Sequence, residues 1–97
     1  MKNFFPEDER VFAAALPDIR AHFENAVGSR RENCTILGAI LDDLRGAEND
    51  NTRIAATRAQ FVSMTGALQD FPVLAAEVEA AAHICRTHEK KMKGPGV

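Results

Sequence analysis

The chain has 97 residues, of which 45% are hydrophobic and 27% charged, with a formal net charge of −2. This length suits a single domain, 1–97, and the balanced composition argues against a disordered polymer. The lack of a basic excess argues against nucleic acid as a partner. No run approaches the roughly 18 apolar residues of a membrane span. The opening Met1-Lys2-Asn3-Phe4-Phe5-Pro6 lacks the apolar core of an export signal, so the expected compartment is cytoplasmic, with reduced thiols.

A first helix is expected over 6–27. Pro6 fits the first helical position, where its missing N–H is no loss, and Glu7, Asp8 and Glu9 face the positive end of the helix dipole. Phe12, Leu16, Ile19, Phe23 and Val27 then recur at spacings of three and four, an apolar stripe along one face. Pro17 interrupts the backbone bonding without changing the phase of that stripe, which predicts a helix kinked or split there. Gly28 is expected to end it.

Ser29 followed by Glu32 reads as a capping box for a second helix over 30–45. Its face is Cys34, Leu37, Ile40, Leu41 and Leu44, with Ile36 at the edge. Gly38 is expected to let a neighbour approach closely, and Gly46 to close the helix. Arg30 and Arg31 at the start and Asp42 and Asp43 near the end reverse the order that the helix dipole favours.

A third helix is expected over 52–69, capped by Asp50 or Asn51, with Ile54, Thr57, Phe61, Met64 and Leu68 along its stripe. A fourth is expected over 72–92, capped by Asp70 or Phe71 and opened by Pro72. Its stripe is Leu74, Val78, Ala81, Cys85, His88 and Met92, flanked by Ile84. Arg86, Lys90, Lys91 and Lys93 complement its negative end, and a flexible tail occupies 94–97. Short connections make consecutive helices antiparallel neighbours. The fold class is therefore all-α, an up-down antiparallel four-helix bundle. Its small core would be extended by a homodimer.

His83-Ile84-Cys85-Arg86-Thr87-His88 is the segment richest in reactive side chains. Cys85 and His88 are three apart and share a helical face. A metal needs three or four converging ligands, so His22 and Cys34 would have to join them from other helices. A metal- or small-ligand-binding site built from His22, Cys34, Cys85 and His88 is thus the alternative reading. No CxxC or HExxH pattern supports it. Cys85 as a nucleophile is opposed by its place in the C-terminal half of a helix, where the dipole disfavours a thiolate. A Cys34–Cys85 disulfide needs Cα atoms within about 7 Å, which a bundle permits. Asp42 and Asp43 are adjacent and point to different sides of a helix, so they are no acid–base pair.

The sequence therefore points to no enzyme and no cofactor. The leading expectation is a protein-interaction module, an adaptor, regulator or inhibitor acting through a helical face. Its partner would be another protein with an acidic surface facing Arg30 and Arg31. Trp and Tyr are absent, so the apolar anchors must be of other types. Phe4 and Phe5 either pack back on the bundle as a staple or anchor a partner.

Overall fold

A computed structural model describes residues 5–29, 35–66, 68 and 70–93, those at 29 and 93 by backbone only. Among these described residues there are four helices and no strand: α1 (Glu9–Ser29), α2 (Thr35–Asn49), α3 (Ile54–Met64) and α4 (Pro72–Lys93), with a 3-10 turn, Asn51–Arg53, leading into α3. Phe4, Arg30, Arg31, Cys34 and the tail 94–97 lie outside the described residues.

α1 starts three residues later than the proline suggests, because a better cap is available. Asp8 accepts a hydrogen bond from the backbone N–H of Arg10 at 2.9 Å. Its carbonyl accepts from Val11 at 3.1 Å and Phe12 at 3.4 Å. A side-chain acceptor satisfies N–H groups that the first turn otherwise leaves bare, which Pro6 cannot do. The helix then runs unbroken through Pro17, so the split alternative does not occur. Pro17 lies on the exposed side, where water can satisfy a carbonyl freed by the missing N–H. The helix also continues past Gly28 to Ser29.

α2 likewise outlasts its expected end, passing Gly46 to reach Asn49. Asp42 and Asp43 are therefore mid-helix and do not oppose the dipole. Gly46 lies beside the half-exposed guanidinium of Arg53, which a methyl there would push aside. Gly38 has open space beside it, so no neighbour approaches as expected. Asp50 is the cap for the following turn, accepting from the Thr52 N–H at 3.0 Å and its hydroxyl at 2.7 Å. These bonds, the hydroxyl one foremost, hold the Asp50 carboxyl below its ordinary range.

α3 is the shortest helix. It ends at Met64, where Thr65 turns its hydroxyl onto the Val62 carbonyl at 2.7 Å, a local bond that competes with helix continuation. Leu68 is buried but belongs to the connection, not the helix. α4 begins at Pro72, and the Phe71 carbonyl accepts its first helical bond, from Ala75 at 2.8 Å.

Helix directions follow from the side-chain pairs. Arg20 meets Glu48 and Glu24 meets Arg45, so α2 runs antiparallel to α1. Asp18 meets His88 and His22 meets Glu77, so α4 does too. α1 is the central element, packed on α2 and α4, while α3 lies against α1 and α2. One continuous core results. α1 contributes Phe12, Ala15, Leu16, Ile19 and Phe23; α2 contributes Leu37, Ile40, Leu41, Leu44 and Ala47; α4 contributes Leu74, Val78, Ala81, Ala82 and Cys85. Phe61 and Thr57 are the buried residues of α3. This is the expected up-down four-helix bundle.

Candidate functional site

Both seams of α1 carry charged side chains. Toward α2, Arg20 lies 3.0 Å from Glu48 and 2.9 Å from Glu24, and Arg45 lies 2.8 Å from Glu24. The Arg45 hydrogen bond is the main cause that holds the Glu24 carboxyl below its ordinary range, assisted by Arg20 and opposed by desolvation. Toward α4, His22 Nε2 lies 2.7 Å from Glu77 Oε1, and His88 Nε2 lies 2.8 Å from Asp18 Oδ2. A shallow depression of about 610 Å³ over α1 is lined by Asp18, Ala21, His22, Glu24 and Asn25. Its three titratable groups are all engaged in these pairs.

The structure does not assemble the described members of the His22–Cys34–Cys85–His88 set into a metal site. Each imidazole is committed to a different carboxylate, and Cys85 is 0% exposed. Among the described residues no group of three or more His, Cys, Asp or Glu could hold a metal ion. Cys85 is a free thiol, not half of a disulfide. Burial pushes its pKa up to about 12, with Glu89 adding to the rise and Arg86 opposing it. A thiol so far from ionising is a core side chain and a poor nucleophile.

Of the expected partner-binding residues, only Phe5 is described, and its ring is 2% exposed. It lies 5.3 Å from the Phe61 ring and 6.4 Å from the Phe12 ring. The staple alternative is the one adopted, so Phe5 has no free face for another protein in this conformation. Arg30 and Arg31 occupy the interval between Ser29 and Thr35, outside the described residues.

Sequence reasoning missed the exposed apolar side chains. Ile36, Phe71, Val73 and Met92 are 46%, 52%, 44% and 50% exposed. Because α2 and α4 both run antiparallel to α1, their N-termini lie at the end where α1 finishes. Ile36, Phe71 and Val73 therefore share one end of the bundle, and Met92 belongs to the other. A cleft of about 80 Å³ between the α3 exit and α4 is lined by Thr65, Leu68, Ala75, Val78 and Glu79. The available signal was phase: Phe71 precedes its helix, and Val73 is one residue off the stripe that starts at Leu74.

No helix among the described residues is long and apolar enough to cross a membrane. Comparison with protein-family models, with curated proteins and with solved structures gives no match for this chain.

Proposed function

We propose that this chain is a small non-enzymatic interaction module, an adaptor, regulator or inhibitor, that binds another protein through one end of its bundle. The observation that carries the reading is the exposure of Phe71 and Val73, two residues apart at the start of α4, with Ile36 at the start of α2 exposed at the same end of the bundle. Neighbouring large apolar side chains left in water mark a contact surface more often than a single exposed one does. α1 leaves the described structure at Ser29 and α2 enters it at Thr35, also at this end. Arg30 and Arg31, the sequence's candidates for an acidic partner, fall in that interval and are proposed to supply the polar complement. The site of action is the cytoplasm, and the same apolar end favours self-association into a homodimer.

The test is a comparison of variants in one capture experiment from the native host. A Phe71→Glu/Val73→Glu double variant should lose the bound protein, and Met92→Glu, at the opposite end, should keep it. Arg30→Glu/Arg31→Glu should weaken capture most at low salt, and the deficit relative to the parent should shrink as salt screens the new repulsion. Capture unchanged by Phe71→Glu/Val73→Glu, in a variant whose circular dichroism matches the parent, overturns the reading. Sedimentation that shows only a 10.6 kDa species across a wide concentration range removes the homodimer.

A further inference from the structure

We infer that Phe5 and Pro6 form a strap that fastens α3, so that strap and α3 open together while α1, α2 and α4 stay folded. The start of α1 does not need the strap. Asp8 caps the helix with its own carboxylate and carbonyl, and the two residues before Glu7 reach beyond α1 to α3. Phe5 drives its ring against Phe61 of α3 and Phe12 of α1. The Pro6 carbonyl accepts a hydrogen bond from Arg58 Nη1 of α3 at 3.0 Å.

α3 has few other ties. Arg58 is its one charged residue. Among the described residues, the Arg58–Pro6 bond is the one side-chain hydrogen bond from α3 to another element, and no carboxylate lies within ion-pair distance of Arg58. Its Nε is buried with no partner, so the strap carbonyl is the main compensation for bringing this cation partly out of water. The outer face is Ala55, Ala56, Ala59 and Ser63, all exposed; α3 packs Ile54, Val62 and Met64 partly against the core but fully buries only Phe61 and Thr57, fewer residues than any other helix. Elements with few buried contacts and few bonds to the rest open at lower free energy than the core. The Phe61 ring binds Phe5, Phe12 and Phe23 at once, at 5.3, 6.2 and 5.9 Å. Removal of the strap takes away one wall of its socket together with the one side-chain hydrogen bond that, among the described residues, ties the helix to another segment.

Native-state hydrogen exchange on the full chain tests this directly. Phe5→Ala should accelerate exchange of the α3 amides by about tenfold or more relative to those of α2 and α4, because only the local opening becomes easier. Phe5→Leu, which refills the socket, should restore most of the protection. Arg58→Met keeps the apolar stem and removes the donor; it should also accelerate α3 selectively, by a smaller factor. This milder variant decides the matter if Phe5→Ala fails to fold. Exchange that rises by one common factor in all four helices, or α3 protection left unchanged by Arg58→Met, overturns the proposal.

Discussion

The two seams of α1 are built from different materials. On the α2 side the buried face is Leu37, Ile40, Leu41 and Leu44, and the rim is a guanidinium–carboxylate network. On the α4 side the face becomes small beyond Val78, with Ala81, Ala82 and Cys85 all at 0% exposure, and the rim is two imidazole–carboxylate pairs. Large branched side chains hold α2 by the volume they remove from water. Small ones hold α4 by leaving no room for anything but another helix surface, so its contribution depends on fit. One helix thus presents two distinct adhesives, and substitutions on the two sides should fail in opposite ways.

The largest effect is expected from emptying the α2 side. Leu44→Ala should lower stability by about 2–5 kcal/mol through lost burial and a residual cavity, read as a fall in the urea midpoint. On the α4 side the damaging change is enlargement. Ala81→Leu should cost about 1–3 kcal/mol from overpacking, whereas a truncation there has little to remove. Equal tolerance of Ala81→Leu and of a surface substitution such as Ala59→Leu would show that the α4 seam is loosely fitted, and the contrast would fail.

The rims give smaller effects. His22→Ala should cost about 1 kcal/mol by breaking the bond to Glu77, and a double-mutant cycle with Glu77→Gln should show coupling. The smallest effect is on acid stability and belongs to the α2 rim. The Glu24 carboxyl ionises below its ordinary value of 4.5 in the folded chain. Its stabilising contribution is therefore complete above the unfolded-state value and is lost as pH falls through the lowered folded-state value. Acid titration of Glu24→Gln should show a shallower loss of stability below pH 4.5 than the parent. A steeper loss would contradict the assigned role of Arg45.

Periodicity carried most of the architecture. Phe12, Leu16, Ile19 and Phe23 recur in phase because a helix has one inward face, and all four are buried. The ends were harder to read, since several residues compete for each cap and the outcome depends on tertiary bonds. Pro6 looked like a helix start, but its carbonyl was claimed by Arg58 from 52 residues away, a partner no local window contains. Gly46 looked like a stop, but α2 runs through it to Asn49. Met92 kept the phase of its stripe and is nevertheless half exposed, because phase alone cannot say where the neighbouring helix runs out. For the candidate site, Phe5 was legible as a staple. The exposed end was not, because exposure at Ile36 and Phe71 depends on what the rest of the bundle leaves uncovered.

The sealed thiol of Cys85 has a practical corollary. With neither Trp nor Tyr in the chain, ordinary intrinsic fluorescence is blind to this protein, and the cysteine becomes its natural timekeeper. In a Cys34→Ser background, a thiol-trapping reagent can reach sulfur only in those moments when α4 lifts from α1. The trapping rate then counts those excursions.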